Sequence, residues 1–181
     1  MINSLLSKLQ CNELNKRNII LDFCKDSEKK ELYELFIEIL IEGDSYPQLI
    51  PYTFEEFQNY FFSRDSKVLI CKKTDTNEII GGFYIKPNFP GKSSHIANCG
   101  YIVKEKYRGQ NIGFHLGKCS IDIAKELGYT SIIFNLVFKE NIRAISLWEK
   151  LGFQIIGVIP DAIKKNNGDL QDAVIMFLSL N

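Results

Sequence analysis

One segment of the sequence constrains the fold more than any other: an apolar strand, a polar loop and an amphipathic helix in direct succession. The strand is predicted over residues 96–103. From Ile112 onward apolar residues recur at helical spacing, and Gly128 ends the pattern. The loop between them, residues 104–113, contains an arginine and two glycines. Free amide groups and the helix dipole converge at such a junction, so the segment predicts a site for an anion.

The elements around this segment predict a single domain with a mixed sheet. A chain of 181 residues has the usual length of one domain, and no linker or low-complexity stretch divides it, so we predict one domain over residues 1–181. A meander of strands comes first and strands then alternate with helices, which predicts an α/β fold with helices on both faces of a mixed sheet. The predicted strands cover residues 18–24, 67–73, 78–86, 96–103, 131–138, 153–158 and 173–178, and the predicted helices begin near Asp26 or Ser27, Thr53, Ile112 and Asn141.

Charge and cysteine usage exclude several classes of protein. Lys plus Arg and Asp plus Glu number 22 each, and this formal charge of zero argues against a nucleic-acid partner. No apolar run reaches the roughly 18 residues of a membrane-spanning helix, so no membrane partner is expected. No C-x-x-C spacing occurs, so we expect no metal site. We expect the thiols to be reduced and the protein to be cytoplasmic. The five cysteines are Cys11, Cys24, Cys71, Cys99 and Cys119.

The loop before Ile112 carries a short motif. It has neither the G-K-[ST] of a Walker loop nor the G-x-G-x-x-G of a dinucleotide site. Residues 108–113, R-G-Q-N-I-G, instead resemble the [Q/R]-x-x-G-x-[G/A] loop with which the GNAT superfamily of N-acetyltransferases binds the pyrophosphate of acetyl-CoA. Asn111 stands where the family usually has glycine, and asparagine is the other residue that best adopts a left-handed conformation. The resemblance places the pyrophosphate on Arg108, Gly109, Gln110, Asn111, Ile112 and Gly113.

A second motif follows further along the chain. Residues 141–153, N-I-R-A-I-S-L-W-E-K-L-G-F, resemble the GNAT motif N-x-x-A-x-x-L-Y-x-K-x-G-F, with Trp148 at the usual tyrosine position. Because the two motifs occur in the family's order and on the expected elements, the chain is identified as a member of the GNAT superfamily.

This resemblance implies a particular sheet and a cofactor site. The GNAT fold has a central, mostly antiparallel sheet with one splayed parallel pair, here the strand that ends at Val103 and the strand around residues 134–137, and helices on both faces. The pantetheine arm of acetyl-CoA pairs with the backbone in the gap as an extra strand would. The resemblance places Ile102 and Val103 on this arm, and it places Asn141, Ala144 and Trp148 on the inner part of the cofactor.

Three shorter segments resemble one branch of the superfamily. Residues 82–90, 94–100 and 133–138 are similar to the proline-analogue N-acetyltransferases, which acetylate azetidine-2-carboxylate and related imino acids. This similarity implies that Asn98 and Asn135 hold the acceptor and its reacting centre, as catalytic and substrate-binding residues. From the residues alone, either asparagine could instead be a buried residue that satisfies a bulge. Tyr46 and Tyr84 either line the acceptor pocket or simply pack with their hydroxyls at the surface.

The predicted function is transfer of acetyl from acetyl-CoA to the amine of a small molecule, an amino or imino acid among the candidates, without a metal. No carboxylate lies on the strand 96–103, and the indole N–H of Trp148 is not an acid near neutral pH, so we expect direct attack by a neutral amine in a ternary complex. Two alternatives stay open: acetylation of a peptide N-terminus or lysine, and a non-catalytic acyl-CoA-binding module, which Asn111 and Trp148 favour. By analogy with other proteins of this fold, a homodimer is also expected.

Overall fold

A computed structural model describes residues 12–181 of the protein. Its helices are α1 (Asn12–Asn15), α2 (Lys29–Glu42), α3 (Phe54–Phe61), α4 (Ile112–Glu126) and α5 (Ile142–Lys150), and its strands are β1 (Ile19–Phe23), β2 (Lys67–Lys73), β3 (Ile79–Pro87), β4 (Ile96–Val103), β5 (Ser131–Phe138), β6 (Gln154–Lys164) and β7 (Leu170–Ser179). Within the described residues the strands form one sheet in the order β1-β2-β3-β4-β5-β7-β6. Every neighbouring pair is antiparallel except β4 and β5, which are parallel. The predicted mixed sheet is thereby confirmed.

Each face of the sheet carries its own apolar core, because side chains alternate along the strands. In β2, Val68 and Ile70 belong to the cluster beneath α2 and α3, whereas Leu69 and Cys71 belong to the cluster beneath α4 and α5. We call these sides the α2/α3 face and the α4/α5 face. The helices therefore cover opposite sides of the sheet, as the sequence predicts.

β4 and β5 are held together over only a short distance. Their parallel pairing joins Ile96 to Ser131 and Ala97 to Ile132, and no further pair forms, although both strands continue through residues 98–103 and 133–138. Beyond Ile132 the two strands diverge and leave a gap within the sheet. This is the splayed parallel pair that the sequence motifs imply.

The last strands are longer than predicted. The apolar pattern ends the sixth strand at residue 158, because Pro160 and Asp161 interrupt it, but the structure continues this strand to Lys164. The register with β7 shifts just before Ile163, and Asp161 has a φ of 51°, so a bulge absorbs the interruption and pairing resumes beyond it. The alternation of apolar and polar residues in the sequence cannot reveal that the strand continues beyond the bulge.

The cysteines only partly match the expectation of reduced thiols. Cys24, Cys71 and Cys99 are free thiols, and Cys11 lies outside the described residues. Cys119 is disulfide-bonded, so the expectation is wrong for that residue. Disulfide formation depends on the distance between two Cα atoms, which the fold sets and sequence spacing does not.

Residues 12–181 contain neither a membrane-spanning helix nor a cluster of metal-binding side chains. None of their helices is both long enough and apolar enough to cross a membrane. They also hold no group of three or more His, Cys, Asp or Glu side chains arranged to bind a metal ion.

Candidate active site

The β4 edge that faces the gap exposes the backbone of alternate residues. At the two ends of the β3–β4 pair, the Lys104 N–H donates to the Ile80 carbonyl and the Asn88 N–H donates to the Ile96 carbonyl. In an antiparallel pair such bonds recur at every second residue, so the even-numbered residues of β4 bond to β3. The odd-numbered residues direct their N–H and C=O groups toward β5, and beyond the last pair these residues are Cys99, Tyr101 and Val103.

Ile102 is therefore turned away from the gap. Its side chain is buried in the cluster on the α2/α3 face. Its carbonyl lies toward β3, since a Cβ built on Gly81 would come within 2.6 Å of that oxygen. Of the two residues that the family resemblance assigns to the pantetheine arm, Val103 directs its backbone into the gap and Ile102 directs its backbone toward β3; the gap-facing residue next to Val103 is Tyr101.

Side chains already occupy two of the carbonyls in the gap. The Tyr46 hydroxyl donates to the Tyr101 carbonyl oxygen at 2.9 Å. The Arg108 Nε donates to the Val103 carbonyl oxygen, also at 2.9 Å. What the β4 edge offers a ligand is therefore chiefly a row of N–H donors.

A cleft of about 240 Å³ lies where the strands part. Its walls come from β4, β5, α5 and the loop after α2, and among residues 12–181 none of the side chains that line it is Asp, Glu, His, Lys or Arg. The cleft brings together seven of the residues singled out from sequence: Tyr46, Tyr84, Asn98, Asn135, Asn141, Ala144 and Trp148.

The tyrosines and the cysteine of this cleft keep their protons near neutral pH. Burial raises the pKa of the Tyr46, Tyr84 and Tyr101 hydroxyls well above the usual value. Burial likewise raises the pKa of the Cys99 thiol to about 12. A cysteine nucleophile or a tyrosinate base would need the deprotonated form, so neither role fits these groups.

Gly100 is a site residue that sequence reasoning missed. A Cβ at this position would lie 2.5 Å from the Tyr84 Cε1 atom and 2.9 Å from the Tyr46 hydroxyl oxygen. Only glycine allows both rings to rest on β4. The signal was present in the sequence, because glycine inside a strand pattern often marks the close approach of another group.

The two asparagines differ in their surroundings. The Asn98 Nδ2 donates to the Ile133 carbonyl oxygen at 2.9 Å, and its Oδ1 accepts from the Tyr84 hydroxyl at 3.2 Å. Asn135 is exposed, and its Nδ2 donates to the Asn88 Oδ1 at 2.6 Å. Asn98 therefore has defined partners on both ends of its amide, whereas Asn135 is bonded at the rim of the cleft.

The loop over residues 108–113 has the backbone of an anion site. Asn111 takes the left-handed conformation, with a φ of 61°, as its chemistry predicts, and Gly109 has a φ of 75°. The first amides of α4 have no acceptor within the helix and are available to a ligand. Gly113 faces α5, since a Cβ there would lie 3.1 Å from the Leu147 Cδ1 atom.

The Arg108 guanidinium already has partners within the protein. It bonds the Glu42 carboxylate at the end of α2, with nitrogen–oxygen distances of 2.8 and 2.9 Å. Together with its bond to the Val103 carbonyl, this contact makes Arg108 a brace between the loop, β4 and α2.

A second set of contacts anchors the segment that precedes the loop. The Glu78 carboxylate accepts hydrogen bonds from Lys106, Tyr107 and Lys104. The Lys106 bond, followed by the Tyr107 bond, lowers the pKa of Glu78 to about 2. Glu78 thus ties the β2–β3 turn to the turn Glu105–Tyr107.

Asn141 joins the second motif to the loop after α2. Its Oδ1 accepts from the Ala144 N–H at 3.1 Å and thereby caps α5. Its Nδ2 donates to the Asp44 carbonyl at 3.1 Å and to the Ser45 hydroxyl at 3.3 Å.

Trp148 forms an aromatic wall of the cleft. Its ring centroid lies 4.6 Å from that of Tyr101 and 4.9 Å from that of Phe134. Tyr101, like Gly100, was not singled out from sequence.

A wider groove adjoins the cleft and shares part of its wall. Its volume is about 1230 Å³, and it runs between the loop after α2, the start of α5 and the end of the β6–β7 pair. Both cavities are lined by Tyr46, Pro47, Phe138 and Asn141. Unlike the cleft, the groove carries charged side chains of both signs, among them Glu140, Arg143 and Lys164.

A gap in the sheet, donors along β4 and a glycine-containing loop at a helix N-terminus are the parts of an acyl-CoA-dependent transferase. Residues 29–153 match the Acetyltransferase (GNAT) family, so the chain belongs to that family. It is an acetyl-CoA-dependent N-acetyltransferase of the GNAT type.

Individual relatives agree with this assignment. The N-acetyltransferase aca1 of Schizosaccharomyces pombe is 34% identical over 172 residues, which cover 84% of this chain and 82% of that protein. A GCN5-related N-acetyltransferase from Kribbella flavida superposes with a TM-score of 0.84 at 25% identity, over 91% of this chain and 99% of that one. A phosphinothricin acetyltransferase from Sinorhizobium meliloti, solved in complex with acetyl-CoA, shares the fold with a TM-score of 0.81 at 17% identity, over 91% and 89% of the two chains.

The contacts of Glu78 predict a specific loss of stability in acid. The pKa of Glu78 is lowered from 4.5 to about 2 in the folded state. The ionised carboxylate therefore contributes fully to the stability of the fold above pH 4.5, and this contribution is lost as the pH falls toward about 2. We expect Glu78→Gln to be less stable than wild type in urea at about pH 6, with the difference shrinking at about pH 3. The control is Glu34→Gln, at an exposed residue of α2 outside this set of contacts. A difference for Glu78→Gln that is the same at both pH values would contradict this assignment.

Proposed function

We propose that the acceptor is a small amine, and specifically an imino or amino acid of the proline-analogue type such as azetidine-2-carboxylate. The observation that supports this most directly is the small, uncharged cleft at the parting of β4 and β5. Its volume of about 240 Å³ suits a small ring, and the amides of Asn98 and Asn135 offer hydrogen bonds to an acceptor carboxylate. In this proposal Tyr46 and Tyr84 form the wall against which the ring packs.

The cofactor would bind along the gap and the glycine-containing loop. The carbonyls of the pantetheine arm would accept from the N–H groups of Tyr101 and Val103. The pyrophosphate would sit on the amides of residues 109–113, at the N-terminus of the fifteen-residue helix α4. Arg108 would act there as the brace of the loop, and the inner end of the arm would meet Asn141, Ala144 and Trp148.

The chemistry would depend on positioning and on fixed dipoles. Since none of the described residues that line the cleft is a carboxylate or a histidine, the amine must arrive unprotonated and attack the thioester carbonyl directly. The N–H groups of the β4 edge can stabilise the negative charge that develops on the carbonyl oxygen. The C–S bond would then break, the thiolate would depart near the N-terminus of α5, where the helix dipole favours an anion, and the proton of the attacking amine would pass to this thiolate to give the N-acetyl product and CoA.

One observation favours a second acceptor class. The adjoining groove of about 1230 Å³ is much larger than a proline analogue requires, and its charged walls would suit a peptide with an N-terminal or lysine amine. The family membership, by contrast, supports an enzyme over a non-catalytic acyl-CoA-binding module.

A panel of acceptors separates these two classes. We expect thiol release from acetyl-CoA with azetidine-2-carboxylate or a hydroxyproline, and little with lysine peptides. Asn135→Ala should raise the acceptor KM about tenfold, the scale of one lost hydrogen bond, without changing the KM for acetyl-CoA. The matched control is Asn167→Ala, an asparagine of the groove alone. Peptide acetylation that depends on Asn167 and not on Asn135 would place the acceptor in the groove and refute the proposal.

The lack of a general base predicts how the rate depends on pH. We expect kcat/KM to rise until the acceptor amine is itself deprotonated, so the apparent pKa should follow the amine when acceptors of different basicity are compared. Trp148→Phe should keep much of the rate, because it replaces a packing group. An apparent pKa that stays the same for all acceptors would reveal a titrating catalytic group and overturn this mechanism.

We also propose that two copies of the chain associate through β6. This strand ends the sheet, and its side chains Ile155, Ile156, Val158 and Ile159 are 44%, 57%, 51% and 36% exposed. An unpaired apolar edge of this kind is a template for pairing, and a twofold axis brings the same segment onto itself. No ionisable residue lies between positions 154 and 160, so two copies would meet without charge repulsion.

Analytical ultracentrifugation tests this association. We expect a dimer for the wild type and a monomer for Val158→Lys, since the lysine would place a charge in the contact. Leu49→Lys, at an apolar residue that is 77% exposed in the groove, should remain a dimer. A monomeric wild type at micromolar concentrations, or equal behaviour of both variants, would contradict the proposal.

A further inference from the structure

The hydrogen bond between Asn98 and Ile133 lies at the point where the strands part. Backbone pairing ends with Ala97 and Ile132, so Ile133 is the first β5 residue beyond the ladder. Its carbonyl oxygen is the next acceptor that a β4 backbone donor would use. That acceptor instead receives the side-chain Nδ2 of Asn98 at 2.9 Å.

The orientation of this amide is held from the other side. The Tyr84 hydroxyl donates to the Asn98 Oδ1 at 3.2 Å and lies 3.1 Å from the Tyr60 hydroxyl. Lys86 in turn donates to the Tyr60 carbonyl at 2.9 Å, and its Nζ lies 4.6 Å from the centroid of the Tyr84 ring. A flipped amide would turn its oxygen toward the Ile133 carbonyl and lose the hydrogen bond to β5, so the donor is kept toward β5.

The backbone group displaced by this bond is the N–H of Cys99. Cys99 is the first odd-numbered residue after the last pair, so its N–H faces β5. If the parallel pairing continued, this N–H would bond the Ile133 carbonyl. The gap between β4 and β5 would then begin further along both strands. The Asn98 side chain takes one of the two acceptor positions of that carbonyl and bridges β4 and β5 there, so it competes with closure of the ladder.

We propose that Asn98 is a positioning residue that sets where the β4–β5 gap begins. Its amide bonds the first β5 carbonyl beyond the ladder, and Tyr84 keeps that amide oriented. The inference rests on the proposed function in one respect, namely that the gap receives the arm of the cofactor. It assigns Asn98 an effect on cofactor affinity that a residue touching only the acceptor would not have.

Amide hydrogen exchange in the free protein tests the proposal without any ligand. Asn98→Leu keeps the approximate shape of the side chain and removes the donor, which frees the Ile133 carbonyl without placing a second oxygen against it. We therefore expect slower exchange of the Cys99 amide in Asn98→Leu than in wild type, because that N–H gains a partner. Asn135→Ala, on the opposite strand of the cleft, should leave it unchanged. Unchanged exchange at Cys99 in Asn98→Leu would overturn the proposal.

Cofactor binding supplies the second measurement, with CoA itself as the probe. Trp148 is the one tryptophan of the chain and lines the cleft, so its fluorescence reports binding there. We expect Asn98→Leu to weaken CoA binding about tenfold and Tyr84→Phe to weaken it less, because Tyr84 acts through Asn98. Asn135→Ala should bind CoA as wild type does.

The outcomes separate this inference from the proposed function. A wild type that does not bind CoA refutes the proposed function, while the exchange measurement still decides the role of Asn98. Wild-type CoA affinity in Asn98→Leu, combined with a raised acceptor KM, makes Asn98 an acceptor ligand and overturns the positioning role. If Asn98→Leu does not fold, Tyr84→Phe is tested in both measurements, and wild-type exchange and affinity in that variant overturn the proposal.

Discussion

The parting of β4 from β5 is the constraint on which the rest of the site depends. Unpaired backbone groups inside a sheet are costly, so such a gap needs strands that are held in place by other neighbours. β4 is paired along its length with β3, and β5 is paired with β7 on its other side. Each strand therefore keeps its position without the other. The sheet can open between them and leave a row of donors facing a cleft.

The sequence predicts those parts of this arrangement that local chemistry decides. The loop before α4 and the left-handed Asn111 follow from residue type, and the helices follow from apolar periodicity. The backbone direction of Ile102 does not follow from residue type, because it depends on the register between β3 and β4. Register is set by contacts between distant segments, and a shift of one residue would exchange the groups that face the gap.

Contacts across the molecule also connect the two motifs in a way that their spacing does not reveal. Arg108 of the first motif bonds Glu42, and Asn141 of the second bonds Asp44 and Ser45. The chain at the end of α2 is thus held by both motifs at once. Because this segment also lines the cleft, the elements that would hold the cofactor and those that would hold the acceptor share one support.

The contact between Gly100 and the two tyrosines restricts how this site can change over evolutionary time. A side chain at position 100 requires that the ring of Tyr84 first move or shrink, and its Cβ would also lie only 2.9 Å from the Tyr46 hydroxyl oxygen. Loss of the Tyr84 ring alone would leave a void against β4 that glycine cannot fill. Substitutions at these positions are therefore tolerated only in certain orders and combinations. A new acceptor shape would have to be reached through concerted changes on three separate segments of the chain.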